Sequence, residues 1–197
     1  MVSLNWLNRE ELLAHLVPLK QTSLDCDNNV YMTEDDTVVV NFDKVVGEYG
    51  SRCGTSCARS VDALYCDRDG TCCLIEFKNG KLDKGKIFEI KQKIYDSLLI
   101  LSDITGLTLK DYRSELEFIL VYNKEKNPNL FNAFPAPSNS PALCGLANGL
   151  ARKSKKAFEA ESLESFERYC FKRVREMPAE TLEEHVFSKA HSAWGVD

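Results

Sequence analysis

Apolar residues recur along the chain at helical spacing in three places. The first stripe predicts an amphipathic helix over residues 4–19, ending near Pro18. A second stripe over residues 38–49 is typical of a helix, and Gly50 stands where a C-terminal cap is expected. The clearest stripe predicts a helix over residues 84–101. We therefore expect an N-terminal helix followed by two further helices.

Strand patterns alternate with these helices. The segment VDALYCDRDGTCCLIEFKNG, residues 61–80, predicts two strands around a turn, and residues 116–122 predict a buried strand. A helix between strands indicates a crossover onto a mixed sheet, so the fold class is α/β (α+β). Near the C-terminus we expect a further helix over residues 142–157, a strand starting at Tyr169 and a helix after Pro178.

Length and composition favour one soluble domain. The chain has 197 residues, of which 44% are hydrophobic, and no apolar run is long enough to span a membrane. The N-terminal residues lack the pattern of a secretory leader, so we expect a cytoplasmic protein whose eight cysteines are reduced. A zinc site built from Cys53, Cys57, Cys66 and Cys72 is a less favoured alternative.

The turn of the hairpin decides where three charged residues lie. Residues 68–70 fit a three-residue loop in which the glycine is left-handed. Counting outward from this loop places Asp62 directly opposite Glu76, and side-chain alternation adds Lys78 to the same face. A two-residue turn would instead place Asp62 opposite Phe77.

Two opposed carboxylates repel each other and need a counter-charge. At about 4 Å the repulsion is roughly 4 kcal/mol for an effective dielectric constant of about 20. Either Lys78 or a divalent cation such as Mg²⁺ satisfies this need. The simpler alternative is a solvated hairpin face, where alternating charge is ordinary. The apolar strand CCLIEFK around Glu76 favours a buried site.

Order and spacing of these residues resemble a known family. Asp62 in SVDALY, then Glu76-Phe77-Lys78 in LIEFKNG, a helix and the strand EFILVY resemble the PD-(D/E)xK nuclease superfamily. Val61 replaces the proline of that motif, and a clear Q-x-x-x-Y pattern is missing. The resemblance covers residues 38–123 and implies a restriction-endonuclease-like core, with residues 135–197 as a C-terminal extension of the single domain.

The resemblance implies a Mg²⁺- or Mn²⁺-dependent nuclease that hydrolyses phosphodiester bonds in nucleic acid, with DNA expected ahead of RNA. Asp62, Glu76 and the main-chain carbonyl of Phe77 would hold the metal, and Lys78 would position the attacking water.

Two further positions follow from the same resemblance. An extra acidic residue on the preceding helix corresponds by order to Glu48, with Glu34 as the alternative. A Lys or Gln on the following helix corresponds to Lys91 or Gln92, and Lys91 is preferred because it lies closer to the apolar stripe.

Charge leaves two functions open. Between positions 78 and 93, six lysines stand against two acidic residues, which favours attraction of phosphate, although a solvated helix face has the same composition. The net charge of −5 instead favours a catalytically inactive binding protein on the same fold, an immunity, regulatory or scaffold module with a protein partner.

Overall fold

A six-stranded mixed β-sheet organises the chain in the computed structural model, which describes residues 4–56, 58–128, 163–187 and 192–194. In chain order the strands are β1 (Leu16–Pro18), β2 (Leu24–Asp25), β3 (Val30–Tyr31), β4 (Val38–Asn41), β5 (Ala63–Cys66), β6 (Cys72–Lys78), β7 (Leu116–Tyr122) and β8 (Arg173–Pro178). The sheet order is β1-β4-β5-β6-β7-β8, while β2 and β3 form a separate hairpin. In the six-stranded sheet β1, β4, β5 and β6 pair antiparallel, and β6, β7 and β8 run parallel.

Short and long helices flank the sheet. The α-helices are α1 (Glu10–Leu13), α2 (Leu19–Thr22), α3 (Phe42–Cys53), α4 (Lys84–Thr105), α5 (Leu109–Glu115) and α6 (Ser165–Tyr169). Residues Leu4–Asn8 and Ala179–Thr181 form 3₁₀ turns, and Glu183–Phe187 forms a π-helical turn. Within the described ranges, no helix has the length and apolar character needed to cross a bilayer.

The predicted helix over residues 4–19 is wrong. The chain breaks into a 3₁₀ turn, α1 and strand β1, because residues 16–18 pair antiparallel with β4 at the edge of the sheet. Leucines at helical spacing are buried here by separate elements: Leu7 and Leu12 both join the core although they belong to different turns. Sheet pairing has overridden the local helical pattern.

The helix predicted from Val38 begins later than expected. Residues Val38–Asn41 form strand β4, since three consecutive β-branched valines fit a strand paired on both sides. Helix α3 starts at Phe42, where the side chain of Asn41 accepts a hydrogen bond from the backbone N–H of Lys44 at 3.1 Å. It ends at Gly54, whose φ of 67° is left-handed, so the cap predicted at Gly50 is wrong.

The crossover and the hairpin register are confirmed from Ala63 to Cys66, but the predicted pairing of Asp62 directly opposite Glu76 is wrong, because the regular ladder ends at Ala63 and Ile75. Ala63 faces Ile75 and Tyr65 faces Cys73, as the three-residue loop predicts, and Gly70 has a φ of 90°. Helix α4 covers the predicted residues 84–101 and continues to Thr105, and the chain then returns through α5 to β7, parallel to β6.

The C-terminal segment supplies the edge strand of the same sheet. Strand β8 pairs with β7 over six residues, so residues beyond 135 contribute to the central sheet. The strand predicted from Tyr169 starts instead at Arg173, because residues Ser165–Tyr169 form α6. After Pro178 the chain forms only short 3₁₀ and π-helical turns. The helix predicted over residues 142–157 lies outside the described residues.

One cysteine pair is oxidised in the structure. Cys66 and Cys72 face each other directly across the hairpin and are joined by a disulfide, so the prediction of reduced thiols throughout is wrong for this pair. The disulfide also removes both sulfurs from the zinc alternative. Cys26, Cys53, Cys73 and Cys170 are free thiols, and Cys57 lies outside the described residues.

A buried hydroxyl connects α4 to the residue directly before Asp62. The Oγ atom of Ser97 accepts a hydrogen bond from the backbone N–H of Val61 at 3.0 Å, and both residues are fully buried. Strict alternation along a strand would place Val61 on the same face as Ala63, but Val61 packs in the core cluster that includes Leu64 and residues of α4. The helix therefore fixes the chain directly before the candidate site.

Replacing this hydroxyl should destabilise the fold. Ser97→Ala leaves the N–H of Val61 without its acceptor, which typically costs about 1–3 kcal/mol for a buried donor. The free energy of unfolding, measured by urea denaturation, should fall by that amount. Ser114→Ala, an exposed hydroxyl on α5, is the matched control and should change it by less than about 0.5 kcal/mol. Equal effects of the two substitutions would contradict the role of Ser97.

Candidate functional site

Asp62 leaves the regular ladder between β5 and β6. Its backbone N–H donates to the carbonyl of Ile75 at 3.0 Å, although the ladder partner of Ile75 is Ala63. Two consecutive residues thus face one, which is the arrangement of a β-bulge and re-aims the side chain. The Oδ2 atom of Asp62 accepts a hydrogen bond from the backbone N–H of Phe77 at 2.6 Å. The bulge therefore turns the carboxylate toward β6.

Two helices hold the chain that leads into this bulge. The backbone N–H of Arg59 donates to Asp96 of α4 at 2.9 Å. The hydroxyl of Ser60 donates to Asp43, at the start of α3. Together with the bond from Val61 to Ser97, these bonds tie residues 59–61 to α3 and α4 directly before Asp62.

Four charged groups meet beside the bulge. Glu76 on β6 is fully buried, and the Nζ atom of Lys78 lies 2.6 Å from its Oε1 atom. The Nζ atom of Lys93, from α4, lies 2.8 Å from Glu76 Oε1, 3.0 Å from Glu76 Oε2 and 3.3 Å from Asp62 Oδ1. Lys93 thus contacts both carboxylates, and two negative charges face two positive ones.

Burial and mutual repulsion change the proton affinity of this cluster. Burial first, and then the charge of Glu76, raises the pKa of Asp62 to about 8, against the opposing influence of Lys93. For Lys93, burial lowers the pKa, but the carboxylates of Asp62 and Glu76 more than offset this, so its pKa is raised. The cluster therefore keeps the ammonium charged and resists ionisation of Asp62.

A cleft of about 900 Å³ opens beside the cluster, lined by Asp62, Phe77 and Lys78. Its other walls come from the β2–β3 hairpin, the first turns of α3 and the loop after β6. The charged lining residues are Asp25, Asp27, Asp43, Glu48 and Asp62 against Lys44, Lys78, Lys81 and Lys86. The cleft is therefore mixed in charge, and the strong positive bias expected from the lysine-rich sequence is balanced by acidic residues from elsewhere.

Amide side chains fix the hairpin wall of this cleft. Asn79, directly after β6, donates from Nδ2 to Asp25 Oδ2 at 2.7 Å, and Asn123, after β7, donates to Asn79 Oδ1 at 2.8 Å. Hydrogen bonds from Asn28 and then Asn79 lower the pKa of Asp25. The hairpin is thus tied to the carboxyl ends of two parallel strands.

The predicted helix carboxylate lies at the edge of the site. Glu48 lines the cleft, but its side chain is 52% exposed and bonds His15 at 2.8 Å. The alternative, Glu34, is 74% exposed and pairs with Lys20. Asp43 on α3 is the acidic residue whose charge acts on both Asp62 and Lys93. Sequence reasoning missed it because the helix was predicted from Val38, and only the later start at Phe42 brings Asp43 to the first turn of α3.

The lysine from α4 is also a different one. Lys91 was predicted to reach the site, and the structure places Lys93 between the two carboxylates. Lys93 directly precedes the buried Ile94 and lies beside the apolar stripe, and its long aliphatic stem carries the ammonium to the sheet. The apolar stripe favoured Lys91, because a helical period in the sequence does not show how α4 packs against the bulge.

No protein-family model, curated protein or solved structure matches this chain. The resemblance to the nuclease superfamily therefore depends on the residues and their geometry. Among the described residues, no group of three or more His, Cys, Asp or Glu side chains is arranged to hold a metal ion. A cation here would be held by two carboxylates, together with backbone and water oxygens.

The raised pKa of Asp62 predicts how stability changes with pH. Below its ordinary value of 3.8 the group is protonated in both folded and unfolded chains, and its contribution to stability is fully present. As pH rises toward about 8, only the folded protein keeps this proton, so stability falls by at most about 1.4 kcal/mol per pH unit.

Asp62→Asn should remove this fall, since the amide oxygen still accepts the bond from Phe77 while the titrating group is gone. Urea denaturation at several pH values between pH 5 and pH 9 gives the change of the unfolding free energy with pH. Asp69→Asn, in the exposed turn, is the control and should keep the slope of the unmodified protein. An unchanged slope in Asp62→Asn would show that Asp62 does not titrate in this range.

Proposed function

We propose that the protein is a divalent-metal-dependent phosphodiesterase acting on nucleic acid, built on a restriction-endonuclease-like core. One observation carries the proposal: Asp62, directly before β5, and Glu76, on β6, converge on the ammonium of Lys93, and Asp62 and Lys78 line a cleft beside them. Paired carboxylates with a neighbouring lysine provide both metal ligands and a positioned cation. The crossover from β6 through α4 to the parallel strand β7 agrees with the order of elements in that superfamily.

The residues fit a metal ion such as Mg²⁺ or Mn²⁺. Asp62 and Glu76 offer two carboxylates, and Mg²⁺ is commonly held by one or two carboxylates with waters and phosphate oxygens. The backbone N–H of Phe77 points at Asp62, and the carbonyl of a strand residue points to the same side as its N–H. The Phe77 carbonyl is therefore a suitable third ligand. When bound, the metal would polarise the phosphate and lower the pKa of a bound water.

The remaining chemistry falls to side chains of the chain itself. Lys78, held by Glu76 and partly exposed to the cleft, is placed to donate to an attacking water or to a phosphate oxygen. Lys44, Lys81 and Lys86 line the same cleft and provide attraction for the phosphate backbone. The bond from Phe77 to Asp62 orients one carboxylate before any ligand arrives. The expectation that the substrate is DNA rather than RNA rests on the resemblance alone.

A binding protein of the same fold is the second candidate, and one observation favours it. The ammonium of Lys93 already contacts both carboxylates, and together with Lys78 it balances their charge without a metal. Acidic residues on the hairpin and on α3 also offset the lysines of the cleft. In this alternative the site recognises a protein or nucleic acid and hydrolyses nothing.

Cleavage assays distinguish the two functions. Purified protein should cut labelled single- or double-stranded DNA or RNA with Mg²⁺ or Mn²⁺, and Glu76→Gln or Lys78→Ala should lower the rate by about 100-fold or more, as losses of transition-state stabilisation do. Glu34→Gln, which removes an exposed carboxylate, is the matched control and should keep full activity.

Two results would contradict the enzyme. Cleavage that survives Glu76→Gln and Lys78→Ala would place the activity elsewhere or in a contaminant. Binding of the labelled strands in a gel-shift experiment, without cleavage at any metal concentration, would support the second candidate.

A further inference from the structure

Lys93 stands where a metal ion would have to bind. Its ammonium lies within 3.3 Å of Asp62 and within 3.0 Å of both carboxylate oxygens of Glu76. A bridging Mg²⁺ needs oxygen ligands at about 2.0–2.1 Å, so it would share this space with a group of like charge. Both cannot occupy the position between the two carboxylates.

The second lysine makes the excess of positive charge larger. Lys78 and Lys93 converge on the same oxygen, Oε1 of Glu76, at 2.6 and 2.8 Å. When Asp62 and Glu76 are both ionised, as metal ligands are, the two ammonium groups balance their charge, and a divalent ion would leave the cluster with two positive charges. Removing one ammonium from the carboxylates reduces that excess and the repulsion that accompanies it.

Lys93 is able to withdraw. Its side chain is 21% exposed, whereas Glu76 is fully buried, and it reaches the cluster from α4 by a flexible aliphatic stem. Glu76 is fixed on an inner strand of the sheet, and Asp62 is held by the backbone of Phe77. Lys78 contacts Glu76 alone, whereas Lys93 lies between the two carboxylates, so Lys93 is the ammonium that an ion bound to both carboxylates has to displace.

We propose that Lys93 is an internal counter-cation, which holds the two carboxylates together in the metal-free protein and is displaced when a divalent ion binds. The inference rests on the proposed function, because it concerns the same metal site. Lys93 is a positioning residue in this scheme. Lys93 lowers the affinity of the site for metal, and it keeps the two carboxylates together when no metal is bound.

Metal binding without substrate tests this directly. Titration with Mn²⁺, followed by the electron paramagnetic resonance signal of the free ion, gives the dissociation constant. Lys93→Met keeps the stem but removes the charge, and it should bind Mn²⁺ about tenfold or more tightly than the unmodified protein. Lys93→Arg keeps the charge and should bind no more tightly. Lys110→Met, an exposed lysine on α5, controls for net charge and should leave the affinity unchanged.

Thermal unfolding supplies the second readout. Without metal, Lys93→Met should melt at a lower temperature than the unmodified protein, because two carboxylates lose a shared partner, and saturating Mn²⁺ should raise its Tm by more than it raises that of the unmodified protein. If Lys93→Met does not fold, Lys93→Gln, whose amide donates to a carboxylate, replaces it in both measurements.

Each outcome decides the inference. Equal or weaker Mn²⁺ binding by the neutral variant, when the unmodified protein binds Mn²⁺, would overturn the role of Lys93 and leave the proposed metal site standing. Tighter binding by Lys93→Arg as well would assign the effect to side-chain shape, and would also overturn it. Failure of both the unmodified protein and the neutral variant to bind Mn²⁺ would overturn the metal site and the inference together.

Discussion

The balance between two carboxylates and two ammonium groups constrains the elements around it. Asp62 directly precedes β5 and Glu76 lies on the neighbouring β6, and without Lys78 and Lys93 their repulsion would separate the two segments at the point where the ladder ends. Removing Lys93 would leave the fully buried Glu76 with Lys78 alone and would take the ammonium away from Asp62, and loss of a counter-charge from buried carboxylates is destabilising. The position of α4 over the sheet is therefore an electrostatic requirement as well as a matter of apolar packing.

The fold supplies this balance by bringing four segments to one place. The bulge at Asp62 turns a carboxylate out of the regular ladder, and Asp43, Asp96 and Ser97 hold the preceding residues by hydrogen bonds. Strand β6 is central, with β5 on one side and β7 on the other, so Glu76 is shielded from solvent. The cleft then opens on the side of Asp62, and this gives a ligand access to a cluster that is otherwise buried.

The sequence predicted the parts of this arrangement that depend on local rules. Register across the hairpin follows from the loop ending at Gly70, and the helix after it follows from its apolar period. Residues that depend on how elements meet in space were not predictable in the same way. Lys93 and the bulge at Asp62 arise from the placement of α4, and β1 pairs with β4 although its residues carry a helical pattern.

We have proposed that Asp62 and Glu76 bind one divalent cation. Anomalous X-ray scattering from crystals grown with Mn²⁺ shows the manganese position without assuming its ligands. We expect a single strong peak between the two carboxylates, close to the carbonyl of Phe77, with the ammonium of Lys93 displaced from its place between them. A structure in which Mn²⁺ is bound elsewhere, or in which Lys93 still bridges the carboxylates at saturating metal, would contradict it.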